Sequence, residues 1–229
     1  MPNEIISYLE MCRRENASLQ RGMNFGLAKN HSVILMSVRR GAPYRDYLDG
    51  DGSVLLYEGH DEPQRVSNLN PKQIDQRDRT SGGTLTQNGL FLRAAEDYKS
   101  GVRPPERVRV YEKLKQGIWS YNGVFHLVDA GKEHDGKRNV FRFRLVAVEG
   151  EEDFSVPPTV SAQRRRLIPT DVKIEVWKRD EGKCVICGAT DELHFDHDLP
   201  YSKGGTSITA QNVQLLCARH NLQKRDRIL

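Results

Sequence analysis

Cys184-Val185-Ile186-Cys187 and Cys217-Ala218-Arg219-His220 are two short pairs of metal-seeking side chains. Together they can close a tetrahedral Cys3His site, because thiolates and an imidazole satisfy Zn²⁺ with no coordination position left open. Such a zinc is structural rather than catalytic, and Gly188 after the first pair allows the tight knuckle it needs. Two other readings of these residues stay open: unrelated buried cysteines, or a redox pair at Cys184 and Cys187. The fourth cysteine is Cys12. A disulfide scaffold spreads its cysteines more evenly, so a reducing, cytoplasmic compartment is expected. A unit of roughly 60 residues has little core of its own and usually needs such a staple.

The elements that must position these groups fall on either side of a break. Glu149 to Asp153 is acidic, Pro157-Pro158 follows, and Arg164-Arg165-Arg166 comes next. Without apolar periodicity this reads as a linker over 151–167, between a unit at 1–150 and a smaller one at 168–229. The chain has 229 residues, 29% of them charged, and a net charge of +4. The segment 161–229 carries +3 of it and 1–160 only +1, so the small unit is the more basic per residue. This mild excess is compatible with a polyanionic partner. No apolar run approaches the roughly 20 residues that span a bilayer, and Met1 to Glu10 has no basic leader, so neither membrane nor secretion is expected.

Residues 3–21 read as an amphipathic helix, with Ile5, Ile6, Leu9 and Cys12 at helical spacing and Gly22 as a stop. Strand-like stretches follow at Ser32–Val38, Ser53–Tyr57, Arg107–Tyr111, Ile118–Val128 and Val140–Val148. One helix, about Thr86–Lys99, interrupts them, and another is expected over 169–180. The fold class is α+β, with the strands of 1–150 forming a curved sheet or barrel.

Between the two metal-seeking pairs lies His194-Phe195-Asp196-His197-Asp198-Leu199-Pro200, then Ser202-Lys203-Gly204-Gly205, Asn212, and Asn221-Leu222-Gln223-Lys224. With CxxC before and CxxH after, this stretch resembles the HNH endonucleases, the ββα-metal nucleases. The resemblance covers Cys184 to Lys224. It implies that His197 is the general base that takes a proton from water, a task an imidazole suits. It implies Asp196 and Asn221 as ligands of a catalytic Mg²⁺- or Mn²⁺-type ion, since oxygen donors suit a hard cation. Asn212 would tie the loop that aims His197. Asn221 stands where many relatives have a histidine, so the set reads H-N-N. His194 is expected to be structural and Asp198 a turn residue. Lys203, Arg219, Lys224 and Arg225 are expected to meet phosphates.

In the first unit, Tyr44-Arg45-Asp46-Tyr47-Leu48-Asp49-Gly50 leads to Leu55-Leu56-Tyr57-Glu58-Gly59-His60. Gln87-Asn88-Gly89, Arg107 to Tyr111, Trp119 to Phe125 and Asp135 to Phe143 follow in order. Over about residues 20–150 these pieces resemble the SRA (YDG) domain. That family is a curved β-barrel with flanking helices that flips 5-methylcytosine or 5-hydroxymethylcytosine out of DNA. A flipped base needs aromatic faces to recover lost stacking and an acceptor for its N4–H. Tyr44 and Tyr57 match the sandwiching tyrosines. For the acid, Asp46 is favoured and Asp49 is second, because the family's acid position is held here by Tyr47. Arg39 would track phosphate. His31, His126 and His134 carry no motif.

Joined, the two resemblances imply a modification-dependent restriction endonuclease acting on double-stranded DNA with modified cytosine. The alternatives are an HNH nickase or homing-type nuclease on unmodified DNA, and a non-catalytic reader. One nuclease site has one nucleophile, so a homodimer is expected.

Overall fold

The computed structural model describes residues 3–28, 30–49, 52–62, 70–148, 167–199 and 208–224. Lys203, Arg225 and 151–166 of the expected linker lie outside the described residues. The strands are β1 (Glu4–Ser7), β2 (Met23–Ala28), β3 (His31–Met36), β4 (Tyr47–Leu48), β5 (Val54–Glu58), β6 (Glu106–Lys115), β7 (Ile118–His134), β8 (Asn139–Ala147), β9 (Leu193–His197) and β10 (Val213–Cys217). The helices are α1 (Tyr8–Arg14), α2 (Gln87–Lys99), α3 (Thr170–Arg179) and α4 (Ala218–Lys224).

The long strand β7 organises the sheet. Its first half pairs antiparallel with β6 and its second half with β8. β6 continues to a parallel β3 and then to β2, while β8 continues to β5 and β4. Both branches send side chains into one core: Ile34, Val108 and Val110 from the first, Leu55, Phe141 and Phe143 from the second. Two branches can share a core only if the sheet curves around it, and α2 fills the opening with Phe91, Ala94 and Ala95. Thr86 caps α2 by accepting from the Gly89 N–H, which is why the helix starts there.

The N-terminal helix expected over 3–21 is instead strand β1 followed by the shorter α1. Ser7 and Glu10 form a capping box that starts the helix at Tyr8. Ile5 and Ile6, whose spacing fits a helix as well as a strand, pair with Ser120 and Trp119 of β7. β1 also meets β9, so one sheet runs β10-β9-β1-β7-β6-β3-β2.

A second core lies in the C-terminal unit, where Val172 and Val176 of α3 pack with Leu193, Phe195, Val213, Leu215 and Leu216. Leu167, the last residue of the expected linker, is buried in the first core, and Ile168 in the second. Gly52 permits this, because a Cβ there would lie 2.3 Å from the Leu167 Cβ, and its φ of +71° also favours glycine.

Candidate functional site

A cavity of about 1080 Å³ opens where β3, the Pro43–Asp46 segment and the end of β5 converge. Tyr44, Asp46 and Tyr57 line it together, as does Arg39. Tyr57 is buried, with its hydroxyl 3.5 Å from the Leu35 carbonyl oxygen. The Tyr44 ring carries the Lys72 ammonium 4.0 Å from its centroid and faces the His60 ring at 6.1 Å and 28°. Asp46 accepts from the Ser37 N–H at 3.0 Å and the Glu58 N–H at 3.1 Å. Glu58 is itself held by Arg142 at 3.3 Å and by the Arg45 N–H at 2.9 Å. The acid is thus set by the end of β5 and by Ser37, just past β3, and braced from behind.

Asp49, the second candidate acid, does not line the cavity. It accepts from the Val54 N–H and the Ser53 hydroxyl, closing its own turn. An aspartate that satisfies its own turn has a local role, which is a reason to keep Asp46 as the favoured acid and Asp49 as the second.

Burial of the Asp46 carboxyl, offset in part by the two N–H donors, pushes its pKa up to about 7. A carboxyl with a raised folded pKa contributes stability that is present below its unfolded pKa and is lost as pH rises toward 7. The melting temperature of wild type relative to Asp46→Asn is therefore expected to fall between pH 4 and 7 and then level off. Thermal melts of both proteins across pH 4 to 8 measure this, and a difference that rises with pH would contradict it.

Sequence reasoning passed over His60. Burial drives its pKa down to about 4, so the imidazole facing Tyr44 is uncharged at neutral pH. Asn88 of α2 holds its backbone on both sides, accepting from the His60 N–H at 2.8 Å and donating to its carbonyl at 2.9 Å. The available signal was the spacing Tyr57-Glu58-Gly59-His60, which puts a second ring three residues from Tyr57. Gly22 closes the floor: a Cβ there would lie 2.7 Å from both His60 Nε2 and the Tyr57 hydroxyl. Of the remaining histidines, His31 pairs with Glu15 at 2.8 Å, His126 is buried in β7, and His134 is exposed at its end.

In the C-terminal unit the donor atoms of Cys184, Cys187, Cys217 and His220 all lie within 4.8 Å of one another. His220 Nδ1 is 3.4 Å from Cys184 Sγ and 3.3 Å from Cys217 Sγ. Burial raises the Cys184 pKa, but backbone N–H groups at Cys217, Cys187 and Ile186, with the His220 ring, bring it down to about 6. Thiolate character and a closed set of three sulfurs and one nitrogen fit Zn²⁺, and this cluster could hold one.

β9 carries Asp196 and His197, and β10 pairs with it in full register. Burial lowers the His197 pKa against the opposing pull of Asp196, so its ring is uncharged at neutral pH. Asn212 clasps Leu199, two residues past the end of this strand: its Oδ1 accepts from the Leu199 N–H at 2.7 Å and its Nδ2 donates to the Leu199 carbonyl at 3.0 Å. α4 packs against β9 and β10. Its Lys224 is buried, donating to Asp196 Oδ2 at 2.7 Å and to the His197 carbonyl. The expected phosphate contact at Lys224 is thereby corrected: a buried ammonium needs a carboxylate, and Asp196 supplies it. Asn221 precedes Lys224 by three residues and so shares its helix face toward β9. Arg219 is exposed on the same helix. His194 is buried opposite Glu4 of β1.

Residues 184–227 match the HNH endonuclease family model. The match takes in both halves of the metal cluster, the Asp196-His197 pair, Asn212 and all of α4. No curated relative matches the chain. Among solved structures, the SUVH5 SRA domain in complex with hemi-methylated CG DNA is 19% identical. Its TM-score is 0.46, and the match covers 68% of this chain and 93% of that one. The SUVH5 SRA domain bound to fully hydroxymethylated CG DNA is 18% identical, with a TM-score of 0.43, covering 66% and 90%. Arabidopsis thaliana SUVH6 in complex with SAM is 19% identical, with a TM-score of 0.45, covering 75% of this chain and 28% of that one. The HNH unit lies beyond the strands that form the cavity and shares their sheet through β1. No helix of the described residues is long and apolar enough to cross a membrane.

Proposed function

We propose that the chain is a modification-dependent restriction endonuclease: a reader that takes a flipped 5-methylcytosine or 5-hydroxymethylcytosine, joined to a metal-dependent HNH cutter. The observation that carries this reading is a cavity lined by Tyr44, Tyr57 and Asp46 in the same chain as an HNH match that includes Asp196, His197 and Asn212. The rings offer stacking, and the carboxyl offers an acceptor to the base N4–H. Arg39, which lines the cavity, and Arg219, exposed on the HNH unit, are the cations that meet phosphates in this reading.

In the HNH unit, His197 removes a proton from water as its oxygen attacks phosphorus and the P–O bond to the leaving oxygen breaks. Asn212 acts through the backbone, fixing Leu199 and with it the end of the strand that presents His197. Asp196 and Asn221 are the oxygen donors suited to a Mg²⁺- or Mn²⁺-type ion, which supplies electrostatic stabilisation of charge on the leaving oxygen. The Cys3His cluster holds a structural zinc. A double-strand break needs two such sites, and a homodimer provides them.

Incubation with methylated and unmethylated plasmid, with Mg²⁺ or Mn²⁺, tests the reading. Cutting of the methylated form alone supports it, and equal cutting of both removes the reader. A binding titration on matched duplexes at fixed salt locates the pocket. An unpaired buried amine costs about 1–3 kcal/mol, so Asp46→Ala is expected to erase the preference for the modified duplex. Tyr44→Ala is expected to do the same by removing a stacking face. Arg39→Ala should weaken both duplexes together, because a phosphate contact carries no information about the base. If Asp49→Ala abolishes the preference and Asp46→Ala keeps it, the acid has been misplaced.

A further inference from the structure

Three independent contacts cross from the reader to the HNH unit. The first is backbone pairing. The Asn3 N–H donates to the Tyr121 carbonyl of β7 at 2.8 Å, and the Asn3 carbonyl accepts from the Phe195 N–H of β9 at 3.0 Å. β9 is the strand that carries Asp196 and His197. The second is a buried polar cluster. Lys173 of α3 is fully buried and donates to Glu112 of β6 at 2.8 Å and to Asn122 of β7 at 2.8 Å. Asn122 donates in turn to Glu112 at 3.0 Å, and the Thr170 hydroxyl donates to the other Glu112 oxygen. Every group of the pair is therefore satisfied by a partner fixed in a strand or helix. The third is apolar: Leu114 of β6 is buried in the HNH core, Ile5 of β1 packs against that core, and Leu167 is buried in the reader core.

Packed interfaces of this kind have discrete arrangements and do not deform continuously. On the cavity side, Lys113 and Trp119 of the same strands line the groove that holds Tyr44 and Asp46. Alternation along β6 turns Glu112 toward the HNH unit and its neighbour Lys113 toward the cavity. One stretch of sheet thus touches both sites.

We propose that the Glu112–Lys173 pair, with β1, locks the HNH unit to the reader, so that cleavage falls at one fixed offset from the modified base. The inference rests on the reader-and-cutter reading above. The chain between residues 149 and 166 is then a connection whose length does not set where the cut falls. Glu112 and Lys173 are positioning residues that determine cut-site specificity and touch no substrate.

The test is cleavage mapping on a long duplex that carries one modified cytosine. Wild type is expected to cut each strand it attacks at a single position. A variant with a flexible Gly/Ser insertion between residues 155 and 160 is expected to cut at that same position. Lys173→Met leaves Glu112 buried without its cation, and is expected to scatter the cuts while the affinity for modified duplex is unchanged. Scattered cuts by wild type, or cuts that shift or spread with the insertion, overturn the proposal. The insertion decides the matter even if Lys173→Met fails to fold. Absence of modification-dependent cutting removes the underlying reading, and with it this inference. Such cutting at scattered positions removes the fixed offset alone.

Discussion

His197→Ala is expected to lower DNA cleavage by about 10²- to 10⁴-fold, the usual contribution of a positioned general base. His197 sits at the end of β9, uncharged at neutral pH and outside the Cys3His cluster. Its loss should therefore leave zinc content and affinity for modified DNA at wild-type values. Asn212→Ala should cost less, because the clasp on Leu199 acts on the aim of the base and not on the proton transfer itself. A plasmid nicking assay, with elemental analysis and binding titration on the same preparations, separates these outcomes. Undiminished cutting by His197→Ala would remove it as the base.

A second large effect is expected at Cys187. Purified protein should carry about one tightly bound zinc per chain, since structural zinc sites contribute on the order of 10–16 kcal/mol in zinc-finger peptides. Cys187→Ser removes one of three sulfurs from a set whose donor atoms all lie within 4.8 Å. The apolar cluster between α3, β9 and β10 is small, and without the metal the knuckle and α4 lose their common anchor. The variant should lose zinc and expose the HNH unit to limited proteolysis. The curved sheet around Phe125, Phe141 and Phe143 has its own core, so it should stay folded and keep binding modified duplex. Active protein without zinc would end this idea.

The HNH unit was legible because its chemistry is local in sequence. Cys184 with Cys187, Asp196 with His197, and Cys217 with His220 are each pairs within one turn or one strand. Their spacing alone limits what they can bind. The cavity of the first unit was half legible. Tyr44, Asp46 and Tyr57 come from one hairpin region, yet spacing favoured Asp46 only over a second candidate, Asp49. What separates them is hydrogen bonding, to Ser37 and Glu58 for the one and to its own turn for the other. His60 was quoted beside Tyr57 but given no role, because its spacing does not reveal that its ring faces Tyr44.

The N-terminal helix was misread because Ile5 and Ile6 satisfy either period, and the deciding partners lie in β7 and β9. Lys173 looks like an ordinary solvated lysine in sequence, and Lys224 like one that meets phosphate. Their burial follows from carboxylates far along the chain, at Glu112 and Asp196. Non-local pairing of charges leaves no mark on composition or periodicity.

The place of β1 between β7 and β9 bears on the order in which the molecule matures during synthesis. β1 leaves the ribosome before β9, which follows only after the whole curved sheet. Contacts between segments so far apart in sequence are slow to form, since the chain must first lose the entropy of closing the intervening loop. The curved sheet can collapse around its phenylalanines while β1 still presents an unpaired edge. The HNH unit then docks on that edge last. A nascent chain can therefore hold a finished cavity before the strand that carries Asp196 and His197 is in place.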